Sequence, residues 1–364
     1  MRLFVYEMTC ADVSWKTLPL SLRAEGWAML SAILDDWQAL EDIEVSTLVA
    51  PDFPHDLTVS HQRVEKDERQ HFFELASQAD YTLVIAPEFD DLLQTRAEWV
   101  LSAGGKLLSS GPHGIWQTAD KLHLAQLWKE HKVRTPLTRL VGPGYEHLMY
   151  NRLFPFPVVI KPRYGAGSQG TVFLPQLESL RRDRTLAPLL AFSQELVVQP
   201  YVSGLVASVA FLVGPNAAFA LPPARQLISD DGTFTYLGGE IPLSKELRAR
   251  AISLAQQAVE CVSGLRGYVG VDLILGEPDD GSQDYALEIN PRLTTSYIGL
   301  RQLAKTNLAE AMLKVVQGER VSLSWKHGFV SFRHDGTVDD SSGRKWPGSG
   351  SQSSSTIEEE KDFG

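Results

Sequence analysis

Between Val158 and Pro175 the chain reads VVIKPRYGAGSQGTVFLP: an apolar stretch carrying Lys161, a loop with Gly165, Gly167 and Gly170, and a second apolar stretch stopped by Pro175. Glycines at this spacing let a backbone adopt positive φ and approach a phosphate closely, but the same spacing serves ordinary turns, so the flanks decide. A dinucleotide fingerprint needs a helix to start at the glycines and point its N-terminus at the pyrophosphate. Here β-branched residues and a proline follow instead. A Walker A loop needs Lys-Ser or Lys-Thr after the last glycine, which is absent. Protein kinases place a similar loop between strands, with a valine where Val172 stands, but their lysine lies on the strand after the loop and an H-R-D motif follows later. A hydrolase elbow at Ser168 fails because Ala166 replaces its first glycine and no helix pattern follows. What remains is strand, lysine, flexible loop and return strand, a cover for nucleotide phosphates.

Two later stretches carry acids where strands should be apolar. GYVGVDLILG and DYALEINPR read as strands interrupted by Asp272, Glu288 and Asn290. Acids are poor strand formers and costly to bury unpaired. Glu288 and Asn290 are two apart and therefore share a strand face, and Asp272 lies on the preceding strand, joined through the EPDDGSQ turn. Three oxygen ligands then converge, the donor type of a magnesium site with room for phosphates. The competing reading is the solvent face of an edge hairpin with Arg292 as ion-pair partner.

At 364 residues, with 43% hydrophobic residues, the chain exceeds one ordinary core. RLFVYE reads as a buried strand. SLRAEGWAMLSAILDDWQAL repeats apolar residues at Leu22, Met29, Ile33, Trp37 and Leu40, near a helical period behind Ser21 as N-cap. The alternation continues to about Trp116 and predicts a parallel sheet covered by helices. No glycine follows the first strand in EMTCADVSWKTLPLS, so this unit is not expected to hold a dinucleotide in the Rossmann manner. Glu7 and the polar loop after it are placed to line a substrate cleft. A helix is expected from Thr118 as N-cap, with Asp120 in its first turn. Beyond it, strands near 156–174, 196–202, 206–213, 267–275 and 284–290 and a helix over 244–265 predict an α+β region. From about Gly318 periodicity is lost and a Ser/Gly-rich, then acidic, tail reads as disordered, so a chain stopped near Ser331 is expected to keep full activity.

The formal net charge of −11 leaves no surplus of cations for a phosphate backbone or an anionic membrane. Cys10 and Cys261 are too few for a disulfide framework. The first residues form no signal peptide and no apolar run is long enough to span a bilayer, which suits the cytoplasm. Small-molecule partners are expected, with no nucleic acid and no membrane.

With Lys161, its glycine loop, the later Asp272 and the Glu288/Asn290 pair in place, the chain resembles the ATP-grasp superfamily over about residues 1–315. The resemblance implies a Rossmann-like pre-ATP-grasp domain (1–117), a subdomain with the lysine and glycine loop (118–198), a C-terminal subdomain with the metal site (199–318) and an extension (319–364). It implies that Lys121 and Lys161 contact ATP phosphates, that Gly165, Gly167, Ser168 and Gly170 close over them, and that Gln199, Tyr201 and Val202 surround adenine. Asp272, Glu288 and Asn290 would hold magnesium or manganese, as two ions, and Arg225 and Arg292 would face the transferred phosphoryl group. Pro200 departs from the family, which often has Glu after the hinge glutamine, and the residues after Gly204 lack its ribose-binding acid. ADYTLVIAPEFDDLL, TADKLHLAQLW, FTYLGGEIPL and EINPRLTTSYIGLR look most like the group of ligases that join tyramine to L-glutamate in methanofuran biosynthesis and their bacterial relatives. The implied reaction is amide formation through an acyl phosphate, with release of ADP and phosphate; a homodimer is the expected assembly. The alternatives are an amino-acid ligase of the D-alanyl-D-alanine type and an ATP-binding regulatory protein without turnover.

Overall fold

The computed structural model describes residues 1–64, 67–141, 156–165, 168–176, 195–340 and 345–346. Gly167, one of the expected phosphate-loop glycines, lies outside them. Strands β1 (Arg2–Glu7), β2 (Glu44–Val49), β3 (Ser60–Arg63) and β4 (Tyr81–Ile85) make a parallel sheet in the order β3-β2-β1-β4. Alternation along β1 explains how it is covered: Leu3 and Val5 pack with Trp27, Ile33 and Trp37, whereas Phe4 and Tyr6 pack with Phe72, Leu93 and Val100. The first set belongs to α2 (Leu20–Gln38), which follows the short α1 (Met8–Ala11), and the second to α3 (Glu68–Gln78) and α4 (Leu92–Ser102). Burying each of these large side chains contributes about 1.5–3 kcal/mol. α2 begins one residue ahead of Ser21, after Pro19, so Ser21 is inside the helix and not its cap. Proline's fixed φ starts the helix there without a side-chain cap.

α5 (Pro112–Ala119) and α6 (Lys121–Glu130) meet at Asp120, whose carboxylate accepts the amides of Leu122 at 3.0 Å and His123 at 3.1 Å. Asp120, and not Thr118, is therefore the N-cap of α6. Thr118 lies within α5, its hydroxyl donating back to the carbonyls of Gly114 and Ile115. The cap places Lys121 at the first position of α6. β5 (Arg139–Val141), β6 (Val158–Pro162), β7 (Val172–Leu174) and β8 (Leu196–Pro200) form a small antiparallel sheet in the order β5-β8-β6-β7.

The largest sheet runs β14-β13-β9-β11-β12-β15-β16-β17, with β10 on β9. Its strands are β9 (Leu205–Val213), β10 (Ala218–Ala220), β11 (Ala224–Ile228), β12 (Tyr236–Ile241), β13 (Gly267–Leu275), β14 (Tyr285–Asn290), β15 (Val330–Arg333), β16 (Val338–Asp340) and β17 (Lys345–Trp346). α7 (Lys245–Glu260) packs its Ala251, Leu254 and Ala258 on Val209, Phe211, Val269 and Val271. α8 (Ser296–Leu303) and α9 (Leu308–Val316) pack with α2 in a core shared between the sheets. Asp36 on α2 fixes that contact, accepting Tyr297 Oη at 2.5 Å and Arg301 Nη2 at 2.6 Å and Nε at 3.0 Å.

The extension after Gly318 differs from the expectation of an aperiodic segment. β15 pairs with β12 from Gly238↔Arg333 to Ile241↔Val330, and Val330, Phe332 and Val338 are buried. Strands of four, three and two residues are too short for period-2 alternation to stand out in the sequence. A chain ending at His327 loses these three side chains from the core and uncovers the edge of β12. It is expected to melt at least about 6 °C lower than a chain ending after Trp346, from a loss of about 3 kcal/mol or more. Equal melting temperatures in thermal denaturation would show that the hairpin adds nothing.

Candidate active site

The Lys161 strand and its return strand are the antiparallel pair β6 and β7, with Val159 opposite Phe173 and Ile160 opposite Val172. In the turn between them Thr171 N donates to Ser168 O at 2.9 Å, and Gly170 has φ of 69°, in the left-handed region that glycine enters without strain. Lys121 Nζ donates to the carbonyl of Gly165 at 2.7 Å, tying the start of α6 to the loop. Arg163, two residues past Lys161, forks onto Asp120 through Nε at 2.9 Å and Nη2 at 2.5 Å and reaches Glu195 at 3.3 Å. The same aspartate thus caps α6 and anchors β6, bringing two lysines into one place.

Across from them, Asp272 on β13 and Glu288 on β14 are paired residues, with the register shifting just beyond, between Asp272 and Leu273. Both oxygens of Asp272 hold amide donors: Gln226 Nε2 at 2.7 Å and Asn290 Nδ2 at 2.9 Å. Lys121 Nζ is 3.6 Å from Glu288 Oε2. Burial pushes the Asp272 carboxyl up to about 8, and Glu288 beside it adds to the rise. Burial also works against ionising Glu288, but Lys121 and then Lys161 outweigh it and hold that carboxyl below the ordinary value. Burial lowers Lys161 to about 8; Glu288 and Asp272 pull it back up, while Lys121 pushes it further down. Among the described residues no group of three or more His, Cys, Asp or Glu side chains is arranged to hold a metal ion. Two buried carboxylates beside an amide fit magnesium of the kind that completes its shell with substrate phosphates and water.

Beside them lies a cavity of about 520 Å³ that runs from the small sheet, over the large one, to α2, and Lys121 is not part of its lining. Lys161, Ser168, Gln199, Tyr201, Val202, Asp272, Glu288, Asn290 and Arg292 line it. Gln199 is buried and its Nε2 donates to Thr138 Oγ1 at 2.8 Å. Tyr201, half-exposed, meets Phe173 edge-on at 4.9 Å and stacks near Phe234 at 6.4 Å, forming an aromatic mouth. Arg292 is held by Glu88, with Nε 3.0 Å from Oε1 and Nη2 3.2 Å from Oε2.

Arg225 is not brought to this site. It stands directly opposite Glu240 on β12, is exposed, and pairs with it at 3.4 Å. Its neighbour Gln226 lines the cavity, because successive strand residues point to opposite faces. A one-residue difference in register, invisible in FTYLGGEIPL or PPARQLISD, exchanges the two. The sequence reading also passes over Glu88. An acid directly after the apolar run YTLVIAP is a signal of the same kind as Asp272, but its partner, 204 residues away, is not readable from the chain.

A pre-ATP-grasp domain model matches residues 43–115 and an ATP-grasp domain model matches residues 118–296. The chain is 28% identical over 306 residues to the tyramine–L-glutamate ligase of Methanocaldococcus fervens, covering 82% of this chain and 89% of that one. It is 29% identical over 184 residues to a D-alanine–D-alanine ligase of Hydrogenovibrio crunogenus, covering 47% of this chain and 54% of that protein. A crystal structure of an ATP-grasp superfamily protein from Archaeoglobus fulgidus superposes with a TM-score of 0.69 at 25% identity, over 91% of this chain and 92% of that one. The chain belongs to the ATP-grasp superfamily and is an ATP-dependent ligase. No helix among the described residues is long and apolar enough to cross a membrane.

Proposed function

We propose that this ligase activates a carboxylate of L-glutamate with ATP and joins it to tyramine or a similar amine. The observation that carries the reading is the meeting of Lys161, Asp272 and Glu288 in a cavity that continues to the N-terminal unit, with Lys121 reaching Glu288 from behind the lining. Similarity to the M. fervens ligase over most of both chains supports the substrate pair. Two lysines and the loop amides around Ser168 and Gly170 orient the nucleotide's phosphates, and Gln199, Tyr201 and Val202 border the base. Asp272, Glu288 and Asn290 would hold magnesium, which when bound neutralises charge on the terminal phosphates. A substrate carboxylate oxygen attacks the γ-phosphorus, the bond to ADP breaks, and an acyl phosphate forms; an amine then displaces phosphate to give the amide. Arg292, oriented by Glu88, faces the transferred oxygens.

The partial likeness to a D-alanine–D-alanine ligase favours a second reading, in which both substrates are amino acids. ADP release measured with L-glutamate and a panel of amines and amino acids, followed by mass identification of the product, separates the two. An amide of glutamate with an amine supports the first reading, and a dipeptide as the sole product contradicts it.

Lys161 also gives a prediction in pH. With its pKa lowered to about 8, the free side chain is roughly half neutral at pH ~8 and charged at pH ~6. Nearby phosphates favour the ammonium, so ADP binding with magnesium chelated is expected to take up a sizeable fraction of a proton at pH ~8 and almost none at pH ~6. Titration calorimetry in two buffers of different ionisation enthalpy measures this directly. Asp272, raised to about 8 as well, adds to the uptake, so equal uptake by wild type and Lys161→Met at pH ~8 would contradict the placement of Lys161 at the phosphates.

A further inference from the structure

The N-terminal end of the cavity has a chemistry that ATP does not require. α2 presents Leu22, Glu25, Gly26 and Met29 to it at spacings of three, four and seven, one face of a helix. Ile85 and Phe89, at the end of β4 and just beyond, face them across the space, and His334 enters from the β15–β16 turn. Apart from Glu25 and His334 these walls are apolar. Behind them lies Glu7, buried at the end of β1, with Oε2 accepting Thr9 Oγ1 at 2.7 Å and Cys10 N at 2.8 Å. Helix and acid approach this closely only because residue 26 has no side chain: a Cβ there would lie 2.0 Å from Thr9 Oγ1 and 2.6 Å from Glu7 Oε2.

Glu25 makes no hydrogen bond or ion pair among the described residues, although Arg292 and His334 are near enough to act on its charge. Arg292 is already committed to Glu88 by a two-point contact. This end of the cavity therefore holds more carboxylates than cations, with Glu25 the one left over. A half-buried carboxylate without a hydrogen-bonded cation is costly, and a cationic ligand removes that cost. The surrounding apolar walls suit a ligand whose remaining body is apolar.

We propose that this pocket is the acceptor subsite, taking a small primary amine with an apolar, carboxylate-free body, and that Glu25 determines its specificity by meeting the ammonium group. The inference rests on the ligase reading above and adds to it the place of the acceptor and the residue that recognises it. A free amino acid is disfavoured because its carboxylate would enter beside Glu7 and Glu25. Glu25 is a recognition residue here, and deprotonation of the bound ammonium before attack is left to a separate step.

The test uses the full chain and three probes, tyramine, L-tyrosine and the neutral 4-ethylphenol, titrated into wild type and Glu25→Gln with and without ADP. Tyramine is expected to bind wild type at least about 30-fold more tightly than either other probe, and Glu25→Gln to lose about that factor for tyramine alone. In ADP-release assays the same variant should raise KM for the amine while leaving KM for ATP and L-glutamate within about threefold. Because Glu25 holds no other part of the protein, the variant should fold, and an unchanged melting temperature checks this. The proposal is overturned if wild type binds tyramine no better than L-tyrosine, if Glu25→Gln binds tyramine as wild type does, or if its effect falls on L-glutamate instead. If no amine supports turnover, the ligase reading fails, and the binding titrations still decide the subsite.

Discussion

Glu288→Gln is expected to lower ligase turnover by at least about 10³-fold, a loss of ~4 kcal/mol in transition-state stabilisation, while the protein stays folded. The change keeps the shape and removes the charge. Glu288 faces Asp272 across the β13–β14 pair and lies 3.6 Å from Lys121, so it is the carboxylate that the lysines share with the proposed metal site. Its ionised form is the one Lys121 and Lys161 favour, and a neutral amide can neither bind magnesium as tightly nor hold the two lysines against each other. Circular dichroism and thermal denaturation establish that the variant folds, and ADP release measures the loss. Retention of more than about a tenth of the wild-type rate, a loss below ~1.4 kcal/mol, would remove Glu288 from the metal site.

Arg292→Lys is expected to reduce kcat about 100-fold and to change the Kd for ADP by less than about threefold. The guanidinium is buried between Glu88 and the cavity, and its fork makes two contacts to Glu88 and a third, at 3.2 Å, to the carbonyl of Leu293. An ammonium cannot reproduce that fork, so charge would persist near the site without its orientation. Glu88→Ala supplies the complementary measurement. It leaves Arg292 buried without its partner and is expected to cost about 3–5 kcal/mol of stability. If Arg292→Lys weakened ADP binding as much as it slowed turnover, Arg292 would be a nucleotide contact and not a group facing the transferred phosphate.

Features set by neighbouring residues were legible in the sequence. The β6–loop–β7 unit follows from Lys161, the glycines and Pro175, and the β13–β14 hairpin follows from acids placed at period two in apolar strands. The parallel N-terminal sheet follows from alternating strand and helix patterns. What failed depended on partners distant in the chain. Arg225 and Gln226 are adjacent, and only the pairing of β11 with β12 and β9 decides which of them faces the cavity. Thr118 and Asp120 are both good caps, and the choice between them follows from Arg163, 43 residues further on. β15 is four residues long and gains its stability from Phe332 packing under Gly239 and Gly299, neither of which is near it in sequence. Glu25 gave no signal at all, since an acid on an amphipathic helix ordinarily faces water.

The central claim is that ATP activates a carboxylate by transferring its γ-phosphoryl group. It is tested most directly by following the carboxylate oxygen. With L-glutamate labelled with ¹⁸O in both carboxyl groups and tyramine as acceptor, one labelled oxygen is expected in each phosphate released, alongside ADP. Label recovered in AMP, or phosphate released without label while the amide forms, would contradict the account.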